Sequence, residues 1–282
     1  MPHLELRGIE KSFPSSAGRR PVLAGVDLEV ERGEFLAIVG FSGSGKSTLL
    51  SILAGLLLPD RGVALHDGRP ITGPSPKRGV VFQNYSLLPW LTVRQNIALA
   101  VDQLHPDWPS RRRREHVDRH VAMVRLSDAA GKRPRELSGG MRQRVAVARA
   151  LSMEPEVLLL DEPLGALDAL TRARLQEEIL EMRSQQGQTV VLITNDVEEA
   201  ILLADRIVPL EAGPGAALGP SVTVELERPR NRRDLQRHPR FREIRTGLTE
   251  FLLESRRSAT QGRIASAASA AAAAPLPQEA SR

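Results

Sequence analysis

A buried strand that runs straight into a glycine-rich loop and then a helix restricts a chain to few folds. Phe35-Leu-Ala-Ile-Val39 is continuously apolar, Gly40-Phe-Ser-Gly-Ser-Gly-Lys-Ser-Thr48 follows it, and a helical pattern runs from Ser47 to about Leu58 before Pro59. The loop satisfies G-x-x-x-x-G-K-[ST], with Gly40, Gly45, Lys46 and Ser47 at the fixed positions. Glycines let successive backbone N–H groups converge into a nest for phosphate oxygens. The helix N-terminus adds a partial positive charge. Lys46 supplies a point charge for the β and γ phosphates, and the Ser47 hydroxyl stands where Mg²⁺ would be ligated. Phe41, Ser42, Gly43, Ser44 and Thr48 complete the run expected against the phosphates.

Val157-Leu-Leu-Leu-Asp161-Glu162 is an apolar strand ending in two carboxylates, a poor core design unless a cation or a water needs them. Asp161 is expected in the Mg²⁺ shell and Glu162 as the general base that polarises an attacking water. Together with the loop, this strand end points to a nucleoside triphosphate that is bound and hydrolysed.

Strand patterns recur at Val22 to Val30, Val63 to Leu65, Gly79 to Phe82, Val190 to Ile193 and Arg206 to Leu210. Between Leu91 and about Ala150 the pattern is helical and Arg-rich. Strands alternating with helices argue for an α/β fold on a parallel sheet, with the helical block inserted into it. The expected division is an ATP-binding domain over 4–228 with a helical part near 84–155, a basic helical extension over 229–257, and a disordered tail over 258–282. That tail includes Ala270 to Ala274 and lacks amphipathic pattern.

Composition narrows the options. With 41% hydrophobic and 26% charged residues, the chain is ordinary for a globular protein. Zero cysteines exclude disulfides and thiolate metal sites. Aromatics at 3% leave few stacking surfaces for single-stranded nucleic acid. The net charge of +5, from 39 basic and 34 acidic residues, concentrates late in the chain and in Arg111 to Arg114. That arginine run reads as a solvated helix face, with no base-reading motif beside it and no nucleic-acid partner expected. MPHLELRGIEKSF holds no apolar run of signal-peptide length, so the expectation is a soluble chain or one held at a membrane by a partner.

Leu137-Ser138-Gly139-Gly140-Met141-Arg142-Gln143-Arg144 ends the helical block. LSGGMRQRVAVARAL resembles the signature sequence of ABC-type ATPases, and further motifs follow in the right order. Gln83 in VVFQ resembles the glutamine loop that senses Mg²⁺ and the γ-phosphate. Gly165-Ala-Leu-Asp168 resembles the D-loop, although Ser is commoner than Gly at its first position. Phe13 in KSF takes the place of the aromatic that stacks on adenine. The resemblance covers roughly Leu4 to Val224. It implies a P-loop NTPase core with a parallel sheet, an antiparallel β subdomain and an inserted α-helical subdomain. It also implies ATP and Mg²⁺ as cofactors and a head-to-tail dimer, with one subunit's ATP against the partner's Ser138, Gly139, Gly140 and Gln143.

The resemblance further implies integral membrane permease subunits, whose coupling helix would enter a groove at Tyr85 to Trp90. Leu87, Leu88 and Trp90 can equally be routine core. A periplasmic or lipoprotein substrate-binding protein would act indirectly, and the chain would sit peripherally on the cytoplasmic face of the inner membrane. VFQNYSLLPWLTVRQNI and DVEEAILLADRIVPL are most similar to the nitrate, sulfonate and taurine importer group, with the later RPRNRRDLQRHPRFREIRTGLTEFLL closest to its nitrate branch. A soluble ABC ATPase of DNA repair or translation is the more distant alternative; neither a coiled-coil split nor a second cassette is present.

One position departs from the pattern. In VVLITNDVEEA, Asn195 stands where the family normally has the switch His that contacts the γ-phosphate. Asn keeps a neutral N–H donor but is shorter and cannot be protonated. Full loss of a hydrogen bond to a charged group, about 1.5–3 kcal/mol, would slow the step roughly 10- to 150-fold. This leaves a regulatory subunit with weak hydrolysis as the alternative function. Asn195 also suits the N-cap of a helix starting near Asp196, and the two roles can coexist.

Overall fold

The computed structural model describes residues 1–272 apart from 17, 166 and 231. One sheet is antiparallel: β1 (Leu4–Ser15), β2 (Gly18–Val30), β4 (Arg61–His66) and β5 (Arg69–Pro70) in the order β2-β1-β4-β5. The second comprises β3 (Phe35–Val39), β6 (Arg78–Val81), β7 (Val157–Asp161), β8 (Thr189–Thr194), β9 (Arg206–Pro209) and β10 (Val222–Thr223). Its order is β10-β9-β3-β8-β7-β6, with every pairing parallel except β10 on β9.

The parallel strands are continuously apolar because both faces are covered. Phe35, Ala37 and Val39 face one core and Leu36 and Ile38 the other, the period of two that a strand imposes. The second core takes in β1, β2 and helix α1 (Lys46–Ala54), so α1 lies between the two sheets. The first core is covered by α4 (Gly139–Leu151), α5 (Ala169–Gln186), α6 (Val197–Leu203) and α8 (Pro239–Ala272). A short α7 (Arg232–Leu235) precedes α8. Among the described residues no helix is long and apolar enough to cross a membrane.

The helical block lies where the sequence places it, between the adjacent strands β6 and β7. Helices α2 (Val93–Leu104), α3 (Ser110–Met123) and α4 share their own core around Ile97, Val101, Val121 and Val145. A capping box between Thr92 and Gln95 starts α2. Asn96, fully buried, accepts from the Leu88 N–H at 2.9 Å and donates to the carbonyls of Leu88, Leu91 and Thr92. This pins the Tyr85–Trp90 turn: Leu87 packs inward, whereas Trp90 stays 64% exposed. The arginine run is engaged locally, Arg111 with Glu115, Arg113 with Asp102 and Arg112 over the Trp108 ring.

Three boundaries differ from the sequence reading. Helix α1 stops at Ala54 rather than near Leu58, because Gly55 takes a left-handed φ of 77° and closes the last turn with its own N–H. Strand β1 escapes pattern reading because register shifts after Leu6, Ile9 and Lys11 break its alternation. Helix α8 continues to Ala272, past Ser258 where the disordered tail was expected. Alanine, the strongest helix former, propagates a helix without an amphipathic pattern. Residues 273–282 of that tail lie outside the described residues.

Candidate nucleotide site

The loop after β3 enters α1 through Gly45, whose φ of 100° is open to glycine and costly for other residues. A Cβ there would also lie 2.8 Å from Val22 Cγ1. No side chain caps α1 and no acidic residue stands in its first turn, so its N-terminal field is left for an anion. Lys46 is 3% exposed. Its Nζ donates to the carbonyls of Gly40 and Phe41 at 3.0 Å each and lies 3.3 Å from Glu162 Oε1. Ser47 Oγ donates to Asp161 Oδ1 at 3.1 Å.

Strand β7 delivers the two carboxylates. Burial raises the Asp161 pKa above the usual carboxylate range, and the neighbouring Glu162 charge adds to this against the Ser47 hydrogen bond and Lys46. Glu162 turns sharply at φ 43°, a strained value for a non-glycine residue, held by its N–H on the Ile193 carbonyl at 2.9 Å. Its Oε2 accepts from Gln83 Nε2 at 3.2 Å. Lysine, amide and carboxylate thus converge from three separate elements.

These groups border one cavity of about 650 Å³. Ser42, Gly43, Gly45, Lys46, Ser47 and Thr48 of the loop and first helical turn line it together with Gln83, Glu162 and Phe13. Phe13 is 38% exposed, leaving its ring available for stacking. Gly40, Phe41 and Ser44 stand outside the lining, and Ser44 is buried. Arg20 on β2 also lines the cavity, a cation that no motif marked.

The signature residues do not border this cavity. Ser138 caps α4, its Oγ accepting from the Met141 N–H at 3.3 Å, and is exposed; Gly139 beside it is half-buried. Gly140 packs so tightly on α5 that a Cβ would lie 2.2 Å from Thr171 Cγ2. Gln143, expected with the signature residues against the partner's ATP, is fully buried in this chain, one helical turn from Gly140 on the core face of α4. Arg149, on the same helix, donates to the Ser86 carbonyl at 2.7 Å and the Tyr85 carbonyl at 3.1 Å, tying the signature helix to the loop after Gln83. Asp168 caps α5, accepting from the N–H groups of Leu170 and Thr171 at 3.1 and 3.0 Å. Hydrogen bonds from Thr171 hold its carboxyl below the ordinary range.

At the end of β8, Asn195 is exposed and its side chain has no hydrogen-bond partner among the described residues. The cap of α6 is its neighbour Asp196, whose Oδ1 accepts from the Glu199 N–H at 3.0 Å. Capping is therefore not the role of Asn195. Its turn is held from behind: Thr194 Oγ1 accepts from the Asp196 N–H at 3.1 Å and donates to Glu199 Oε2, while Gln176 of α5 donates to Glu199 Oε1 at 3.3 Å. Burial, reinforced by the charge of Asp196, raises the Glu199 pKa in spite of the Thr194 bond.

A raised native carboxyl pKa contributes stability that is present below the unfolded value and lost as pH rises through the folded value. Glu199→Gln removes that loss. The variant is expected to gain stability relative to the wild type between pH 5 and 8, as checked by urea melts at both pH values; a constant difference would reject it.

One other polar cluster lies at the opposite, N-terminal ends of β7 and β8. His3, His66, Asp67 and Glu156 place their donor atoms within 4.8 Å of one another. Both carboxylates are already met by cations, Asp67 by Arg32 at 2.7 Å and Glu156 by Lys77 at 2.6 Å. Arg78 also approaches His66 Nδ1, at 3.3 Å. The group is thus compensated without an ion.

A glycine-rich loop at a helix N-terminus, with its lysine beside Glu162 in one cavity and its first-turn hydroxyl on Asp161, defines a phosphate-loop nucleotide-binding protein. Comparison with known sequences narrows this. The family profile described as "ABC transporter" matches residues 23–165. The chain is 51% identical over 253 residues to the bicarbonate transport ATP-binding protein CmpC of Synechococcus elongatus. That match takes in 89% of this chain but 38% of CmpC, so the chain spans about two-fifths of that relative's length. Similarity to the nitrate transport protein NasD of Klebsiella oxytoca is 46% over 254 residues, covering 90% of this chain and 97% of NasD. Among solved structures, the dimeric post-hydrolysis state of the ATP-binding cassette MJ0796 bound to ADP and Pi superposes with a TM-score of 0.72. It is 30% identical and covers 79% of this chain and 100% of that one. The chain belongs to the ABC transporter family.

Proposed function

We propose that this chain is the ATP-binding and ATP-hydrolysing subunit that energises an ABC importer for nitrate or a related small anion. The observation that carries the reading is the convergence of Lys46, Ser47, Gln83 and Glu162 on one cavity, with Asp161 behind Ser47. Lys46 would take the β and γ phosphates, Phe13 the adenine face and Glu162 the proton of the attacking water. The hard oxygens of Ser47 and Asp161, 3.1 Å apart, suit Mg²⁺, with Gln83 completing the set. The ion would neutralise charge on the phosphates when bound. The anion class rests on similarity to proteins named for nitrate and bicarbonate transport.

The exposed Ser138 and half-buried Gly139 at the start of α4 support a second cassette subunit whose ATP they would cap. Exposed Trp90 on its pinned turn supports docking of integral membrane permease subunits, which would hold the chain peripherally at the cytoplasmic membrane face. A substrate-binding protein outside that membrane would complete the importer. Purification of the native assembly tests the reading: permease subunits should copurify and raise the ATPase rate. Copurification with ribosomes or DNA instead would overturn it.

The free amide of Asn195 favours slow basal hydrolysis, or dependence on a partner that keeps a switch His. Asn195→His is expected to raise the basal ATPase rate by up to about 10- to 150-fold, the worth of a charged hydrogen bond. An unchanged or lower rate, read by phosphate release, would reject this role.

A further inference from the structure

Helix α8 buries Phe241, Ile244, Leu248 and Leu252 in the same core that carries β3, the strand that launches the phosphate loop. Their spacing of three and four residues makes one apolar stripe. Polar contacts fix the helix along its length. Arg245 donates to Glu198 of α6 at 3.1 Å, and Ser255 Oγ accepts from the Ala212 N–H at 2.7 Å. One turn past the stripe, the exposed Arg256 sets its guanidinium 5.1 Å from the ring centre of Phe41. Phe41 lies between Gly40 and the cavity-lining Ser42, and its carbonyl holds Lys46 Nζ at 3.0 Å.

From this chain of contacts we infer that Arg256 is a positioning residue for the phosphate loop. A cation over an aromatic face fixes the ring, the ring fixes its own backbone, and that backbone carbonyl aims the Lys46 ammonium. The C-terminal extension thereby contributes to nucleotide grip without touching nucleotide. The inference rests on the ATP-binding reading of the cavity.

The test is ATP affinity by calorimetry for the wild type, Arg256→Ala, Arg256→Lys, Phe41→Leu and the Arg256→Ala/Phe41→Leu pair, with Lys46→Ala as reference. Arg256→Ala and Phe41→Leu should each weaken binding about two- to fivefold, the range of an exposed cation–π contact. The pair should lose no more than the larger single loss, because both changes remove one contact. Arg256→Lys should recover most of the affinity. Arg256 is exposed, so the thermal midpoint should hold and the effect should fall on KM rather than kcat. Wild-type affinity in Arg256→Ala, or losses that multiply in the pair, would overturn the inference. If Lys46→Ala loses binding while Arg256→Ala does not, the positioning role alone fails. If Lys46→Ala also binds normally, the site assignment fails with it.

Discussion

Glu162→Gln is expected to bind ATP about as tightly as the wild type while turnover falls by about 10²- to 10⁴-fold, the range of a lost general base. In the structure, Glu162 Oε1 faces Lys46 at 3.3 Å and Oε2 accepts from Gln83 at 3.2 Å. A glutamine fits the same space. Its oxygen can face Lys46, and its NH₂ can meet the Gln83 amide once that side chain turns over. The backbone at φ 43° asks no more of Gln than of Glu. Binding therefore survives while the proton acceptor is gone. With hydrolysis blocked, the ATP-sandwiched dimer should accumulate, visible by size-exclusion chromatography in ATP and absent without it. Wild-type phosphate release from this variant would remove Glu162 from the general-base role.

The parts legible in the sequence are those written in contiguous residues. The phosphate loop is a local program: an apolar strand, glycines where φ turns positive, a lysine and hydroxyl at the first turn of a helix. Strand β7 ending in Asp161 and Glu162 is equally local. What escaped is what only packing creates. Arg149 reads as one more arginine in a basic helix until the fold brings it under the carbonyls of Tyr85 and Ser86. No sequence motif marks Glu199, yet it is 4% exposed and braces the turn behind Asn195. Gln143 falls inside the signature string, but helical phase turns it inward. Asn195 and Asp196 are both good caps, and only the backbone geometry assigns the task to Asp196.

Lys46→Ala should abolish tight ATP binding. Loss of a single charge-assisted hydrogen bond is worth about 1.5–3 kcal/mol, or roughly 10- to 150-fold in Kd. Lys46 does more than meet phosphate. Its ammonium is the donor shared by the Gly40 and Phe41 carbonyls and the cation beside Glu162, at a site where water has little access. Alanine would strand two carbonyls and leave Glu162 without its nearest positive charge, opposite the polyanion that must enter. The affinity loss should therefore reach the upper part of that range or exceed it. Lys46→Met separates packing from charge, since it keeps the stem and loses only the ammonium. Both variants should fail to bind by calorimetry if the charge dominates. Recovery in Lys46→Met would mean that the stem, and not the ammonium, shapes the loop. Lys46→Arg should also bind poorly, because a planar guanidinium cannot place one donor point among two carbonyls and a phosphate within a pocket fitted to an ammonium.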